Sequence, residues 1–131
     1  MNILVAEDDR VQSRLLEKHL TARGFKVRVA FDAASAWEQL AKVRPDAILL
    51  DLQMPGGTGL GFLKKRNSSP SHRNIPVIVI TGMEDPLVLR MAEQNGAISV
   101  LPKPVDVTLL DVTLESVRSS LPPRPAATSG G

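Results

Sequence analysis

Carboxylates stand directly after two apolar runs of this chain. Ile3-Leu4-Val5-Ala6 runs into Glu7-Asp8-Asp9, and Ala47-Ile48-Leu49-Leu50 runs into Asp51. Two more such runs end in other chemically useful residues. Val77-Ile78-Val79-Ile80 leads to Thr81-Gly82, and Ile98-Ser99-Val100-Leu101 leads to Pro102-Lys103-Pro104. Taken singly, a carboxylate after a strand is usually a turn residue or a helix cap. Taken jointly, they suggest one site. Three carboxylates brought together repel one another and raise a pKa unless a cation neutralises them. An all-oxygen set with no cysteine and no histidine cluster favours a hard ion, Mg²⁺ or Mn²⁺, over zinc. Such an ion organises an incoming phosphoryl group and offsets its charge. Asp51 beside it has the chemistry of a nucleophile that forms an aspartyl-phosphate. Lys103 supplies positive charge for the carboxylate and the phosphoryl oxygens, Thr81 a hydroxyl donor, and Gly82 an open approach.

Those residues need a scaffold that brings strand ends together. Apolar runs of strand length alternate with helical patterns along the chain, at Ile3–Ala6, Lys26–Ala30, Ala47–Leu50, Val77–Ile80 and Ile98–Leu101. Three of them are continuously apolar, as expected of strands covered on both faces in a parallel sheet. Arg10–Arg23 reads as a first helix closed by Gly24. Ala33, Ala36, Trp37 and Leu40 form one face of a second, which Asp32 caps and Pro45 stops. Thr58–Lys65 and Asp85–Asn95 read as the third and fourth, the latter closed by Gly96. Val107, Leu110, Leu114, Val117 and Leu121 form the core stripe of a fifth. Repeated βα units imply right-handed crossovers and a doubly wound α/β sheet. Ligands of such sheets sit outside the carboxyl ends of the strands, where the acids, the threonine and the lysine are.

At 131 residues the chain is the size of one domain, and it has no cysteine, which excludes disulfide frameworks, thiolate zinc sites and cysteine nucleophiles. The acids after Ala6 come too early for a secretory signal, and no window approaches the ~20 apolar residues of a membrane span. A cytoplasmic protein is expected. Sixteen basic and fourteen acidic residues leave a net charge of +2. The basic residues are scattered along the sequence, so no direct nucleic-acid contact is expected. The domain is expected over residues 1–119. Residues 120–131, rich in Pro, Ser and Gly, have the composition of a disordered tail or linker.

In combination these motifs closely resemble the receiver domain of bacterial response regulators, the CheY-like family, from Met1 to about Ser119. Ile3-Leu4-Val5-Ala6-Glu7-Asp8-Asp9 looks like the family's first strand and acidic pair. Asp46-Ala47-Ile48-Leu49-Leu50-Asp51-Leu52-Gln53-Met54-Pro55-Gly56 looks like its phosphoacceptor segment. Val77 to Gly82 resembles its switch-threonine strand, and Lys103-Pro104 its lysine–proline pair, where a cis peptide at Pro104 is expected. The resemblance implies a flavodoxin-like (βα)5 fold with strand order 2-1-3-4-5. It implies phosphorylation of Asp51 by a histidine kinase or histidine phosphotransfer protein, with Thr81 and Lys103 as catalytic and switch residues. Asp8, Asp51 and the main-chain carbonyl of Gln53 would bind the metal directly, and Glu7 through water. Asp9, one place past the pair, reads as a helix cap. The implied role is a phosphorylation-dependent switch with no separate substrate and no output domain in this chain.

The chain departs from the family pattern at three places. Val100 stands where Tyr or Phe is usual, Pro102 precedes the lysine, and Val105 replaces a common Phe. A valine cannot swing in and out with the change in buried area that an aromatic ring gives. A non-switching interaction module of the same fold is therefore the alternative. Gln53 and Met83 occupy the positions that tune attack by water, and an apolar Met83 favours slow loss of phosphate. Val100, Leu109 and Val112 are candidates for a partner face for a downstream protein, and a homodimer through the fourth helix, fifth strand and fifth helix is a related expectation. His19 and His72 read as solvated surface residues, Trp37 as packing, and Lys64-Lys65-Arg66 as a basic run at a helix end.

Overall fold

A computed structural model of the chain describes residues 1–54 and 59–120. Five strands, β1 (Asn2–Ala6), β2 (Lys26–Ala30), β3 (Ala47–Asp51), β4 (Val77–Thr81) and β5 (Ala97–Pro102), alternate with five helices. The helices are α1 (Arg10–Ala22), α2 (Ala33–Lys42), α3 (Gly59–Asn67), α4 (Pro86–Gln94) and α5 (Val107–Ser120). All strand pairs are parallel and the order is β2-β1-β3-β4-β5. The continuously apolar runs occupy the three central strands, and β3 and β4 are buried along their whole length. The outer strands β2 and β5 keep an alternating or partly exposed pattern, because each lacks a neighbour on one side. Pro102 ends β5 at the sheet edge, where its missing donor costs no ladder bond.

Two cores fill the layers. Leu4, Ile48, Leu50, Val77 and Val79 pack with Ala36, Leu40, Phe62, Leu63 and Ala92 from α2, α3 and α4. Ile3, Val5, Leu49, Ile78 and Ile80 pack with Leu16, Leu20, Leu110, Leu114 and Val117 from α1 and α5. Asp9, Asp32 and Asp85 cap α1, α2 and α4 through their carboxylates, each accepting from a main-chain N–H of the first turn. Asp106 does the same for α5, accepting from Thr108 and Leu109. Gly24 and Gly96 follow α1 and α4 with φ of +88° and +97°, the left-handed conformation that favours glycine. Among the described residues no helix is long and apolar enough to cross a membrane.

Several expectations need correction. The fifth helix runs through Ser120, one residue into the segment assigned to the tail, and residues 121–131, with Leu121, lie outside the described residues. Val107 is 43% exposed and does not belong to the core stripe. It is the first residue of α5. The third helix extends to Asn67, and Thr58 lies outside the described residues. His19 is only partly exposed and has a partner: its Nε2 is 2.8 Å from Asp111 Oδ1, while Arg23 Nε donates to the other Asp111 oxygen at 2.8 Å. That carboxylate ties α1 to α5. His72 pairs with Ser69 Oγ and lies 5.1 Å from the Trp37 ring, which also packs edge-on against Phe62.

Arg66 departs furthest from its expected place at a solvated helix end. It is 2% exposed and donates to the main-chain oxygens of Arg73, of Ile75 at 3.1 Å and of Asn95 at 2.9 Å. One guanidinium thereby joins the end of α3, the approach to β4 and the end of α4. A Cβ at Gly96 would collide with it, whereas nothing lies within 4 Å of one at Gly24. Arg66→Ala, which leaves buried carbonyls unpaired, is expected to cost about 3 kcal/mol in urea unfolding. Gly24→Ala should cost about 1–2 kcal/mol for its backbone conformation alone, and Gly96→Ala measurably more.

Candidate functional site

Parallel register decides which strand ends meet. Ala6 pairs with Leu50, so Glu7 and Asp51 come next on neighbouring strands; Asp51 in turn pairs with Ile80, just before Thr81. One carboxylate oxygen from each of Glu7, Asp8 and Asp51 lies within 4.8 Å of the others. Lys103 arrives from the far side of β4. Its main-chain N–H donates to Thr81 O at 3.0 Å, and its Nζ donates to Glu7 Oε1 at 2.7 Å and to Asp51 Oδ2 at 3.0 Å. The Lys103–Pro104 peptide is cis. The N–H of exposed Gln53 donates to Asp51 Oδ1 at 2.9 Å, closing a turn over the carboxylate. Asp9 is turned away, its oxygen taken by Val11 and Gln12 of α1.

The acids differ sharply in exposure. Glu7 and Asp51 are 3% and 4% exposed, whereas Asp8 is open to solvent. Burial, and then the neighbouring Asp51 carboxylate, push Glu7 up to about 8 against the pull of Lys103. Burial opposes the charge of Lys103 too, but its hydrogen bonds with Glu7 and Asp51 outweigh that and hold its pKa above the usual lysine value. Glu7 Oε2 is buried with no hydrogen-bond partner. A void of about 10 Å³, lined by Glu7, Gln12, Asp51 and Lys103 among others, lies beside it. Three carboxylates thus face one ammonium, with an orphaned oxygen among them. This donor set is hard, anionic and under-neutralised, which suits a divalent cation.

Thr81 is buried at the same rim, but its Oγ1 accepts the N–H of Met83 at 3.0 Å. Among the described residues no hydrogen bond joins the Thr81 hydroxyl to Glu7, Asp51 or Lys103; it serves its own loop. Gly59 was not singled out in the sequence. A Cβ there would come within 2.6 Å of Leu52 Cα, because the start of α3 rests on the main chain at Asp51. Its N–H donates to Leu52 O at 2.9 Å.

The three candidates for a partner face separate in space. Val100 is half-buried and packs into the core with Met83 and Val88, on the α4 side of the sheet. Leu109 and Val112 stand exposed on α5, at 44% and 62%, with Ile98 of β5 at 53%.

The sign of the Glu7 shift fixes a pH dependence for the protein without divalent ions. The folded chain holds a proton that the unfolded chain releases above about pH 4.5, so stability is full below that value. It is expected to fall as pH rises towards 8, by up to roughly 1 kcal/mol per pH unit, and then to level off. Urea unfolding in EDTA measures this, and Glu7→Gln should flatten the profile.

Comparison with known proteins agrees with the geometry. The family model described as the response regulator receiver domain matches residues 3–115. The response regulator PleD of Caulobacter vibrioides is 36% identical over 115 residues, covering 88% of this chain and 25% of that protein. MprA of Mycobacterium leprae is 33% identical over 130 residues, covering 98% of this chain and 56% of that protein. The chain therefore spans only a quarter to about half of these relatives. Among solved structures, the receiver domain of a DNA-binding response regulator from Colwellia psychrerythraea superposes with a TM-score of 0.86 at 30% identity, covering 92% of this chain and 99% of that one. The receiver domain of a signal transduction histidine kinase from Syntrophus aciditrophicus gives 0.86 at 27%, covering 95% and 94%. With the acidic cluster and its bridging lysine on the strand order β2-β1-β3-β4-β5, these matches make the chain a member of the response regulator receiver domain family.

Proposed function

We propose that Asp51 accepts a phosphoryl group from a histidine kinase or histidine phosphotransfer protein and that this alters what the domain binds. The observation that carries this reading is Lys103 Nζ, held at 2.7 Å from Glu7 and 3.0 Å from Asp51 within a cluster of three acids. An Asp51 oxygen attacks phosphorus as the bond to the donor's imidazole nitrogen breaks. The electron pair leaves with the imidazole, and an acyl phosphate forms. Gln53 N–H and Lys103 orient the carboxylate for that attack. Asp8, Asp51, the Gln53 carbonyl and, through water, Glu7 are the proposed holders of Mg²⁺ or Mn²⁺. When bound, the ion offsets the negative charge that gathers as acid and phosphoryl group approach. Lys103 then pairs with the phosphoryl oxygens as well as with the acids.

The switch follows from the bond that Thr81 already makes. A rotation that carries its hydroxyl to a phosphoryl oxygen would break the bond it accepts from Met83 N–H, freeing the loop that leads into α4. Met83, Val88 and Val100 pack against the same core, and Met83 and Val88 line one groove, which gives a change at Thr81 an apolar route to α4 that needs no aromatic ring. Leu87 of α4, Ile98 of β5 and Leu109 and Val112 of α5 are exposed apolar residues that support a protein partner, or a second copy of the chain, on this side. Met83 also narrows the approach for water, which favours a slow loss of phosphate.

Incubation with acetyl phosphate and Mg²⁺ should add about 80 Da, and Asp51→Asn should abolish the gain. Absence of the gain in the unaltered chain would leave a module of this fold that does not switch. Backbone amide shifts with beryllofluoride and Mg²⁺ are expected to change around Asp51, Thr81 and Lys103 and onward through Met83 into α4. Thr81→Ala should confine the changes to the pocket, and an equally wide response in that variant would rule out the route through Met83.

A further inference from the structure

Residues Arg10 to Arg28 include six basic side chains, Arg10, Arg14, Lys18, Arg23, Lys26 and Arg28, against one acid, Glu17. The fold gathers them at one edge of the sheet. Arg10, Arg14 and Lys18 recur every four residues on α1 and make a stripe roughly 12 Å long. The stripe borders an open groove of about 720 Å³ lined also by Val29, Phe31 and the single acid Glu17, so three cations face one carboxylate there. The Arg10 guanidinium lies 4.1 Å over the Phe31 ring. Lys26 and Arg28 are exposed on the opposite face of the same strand, since alternate residues of a strand point to opposite faces. Arg23 is engaged by Asp111 and takes no part.

The strand between these two sets of cations is β2, the outermost on its side of the sheet. Lys26 N–H donates to Met1 O, and Ala30 O accepts from Glu7 N–H, so the even-numbered residues pair inward with β1. In a parallel ladder the intervening residues, Val27 and Val29, turn their N–H and C=O groups the other way. That edge is a template for one more strand. A chain laid along it would present alternate side chains to Arg10, Arg14 and Lys18 on one face and to Lys26 and Arg28 on the other. Both faces are cationic.

We propose that the β2 edge is a docking site for an extended acidic segment of a partner protein, which joins the sheet as an added strand beside β2. Charge complementarity on both faces selects acidic side chains, and the outward main-chain groups of Val27 and Val29 select a peptide. A nucleic acid would meet the same cations but offers no regular row of amides for this edge. The site lies at the opposite edge of the sheet from β5 and Val100, so it holds whether or not Asp51 accepts phosphate. It gives the domain a second attachment that leaves the α4 and α5 side uncovered.

The test uses a fluorescein-labelled decapeptide alternating glutamate and threonine, titrated with the full chain by anisotropy. Saturable binding is expected, accompanied by slowed hydrogen exchange at the Val27 and Val29 amides. The double variant Arg14→Glu, Lys18→Glu, at two exposed positions, should weaken it about tenfold or more with an otherwise unchanged amide spectrum. N-methylation of the peptide's interior nitrogens keeps the charge and removes strand pairing, and should weaken binding comparably. Equal binding of the methylated peptide would overturn the added strand. Tighter binding of a single-stranded oligonucleotide of the same length would overturn the peptide in favour of a nucleic acid, and no binding of the unmodified peptide would overturn the site.

Discussion

The rim of this sheet is organised around one ammonium group shared by two buried carboxylates. Moving an ion out of water costs several kcal/mol unless a partner compensates; Lys103 and Gln53 N–H supply partners for Asp51, while Glu7 lies inside the rim beside Lys103 by keeping its proton towards pH 8. Lys103 directly follows the strand beyond β4, and its main chain is bonded to Thr81. The side chain therefore spans three neighbouring strand ends. The compensation is incomplete. One oxygen of Glu7 stays unpaired, and the proton that Glu7 retains towards pH 8 marks how poorly a third negative charge is tolerated. A divalent cation and a phosphoryl group both act on that imbalance, from opposite signs.

Thr81 connects this imbalance to the rest of the fold. Its hydroxyl oxygen holds the first turn of the loop to α4, and the loop's Met83 shares a core with Val88 and Val100. At its other end α4 is held by the buried Arg66, which binds Asn95 O while also binding the segment before β4. The helix is thus anchored at its C-terminal end by Arg66, and on its N-terminal side it adjoins the loop bonded to Thr81. In the proposed switch, a small rotation of that threonine would pivot the helix without the large ring that the family usually places at position 100.

The two sheet edges differ in chemistry as much as in position. Around β5, α4 and α5 the exposed residues are apolar and scattered. Around β2 they are cationic, on both faces of one strand, with main-chain groups turned outward. The sheet order separates these surfaces by the three central strands, so occupancy of one does not exclude the other.

The sequence alone determined the alternation of elements, the buried central strands, the caps Asp9 and Asp32 and the glycines that follow α1 and α4. Each of these rests on local chemistry: continuous apolar runs, a carboxylate within reach of free helix amides, a backbone angle that a side chain resists. The residues at the strand ends were also legible, because the parallel fold fixes where its rim lies. Tertiary structure alone decided what those residues touch. It buried Arg66, paired His19 with Asp111, exposed Val107, turned Thr81 towards Met83, and parted Val100 from Leu109 and Val112. It also set the basic residues that lie between Arg10 and Arg28 in the chain around one outer strand of the sheet. Charge and burial depend on neighbours distant in sequence, and a one-dimensional pattern carries the type of a side chain without its partner.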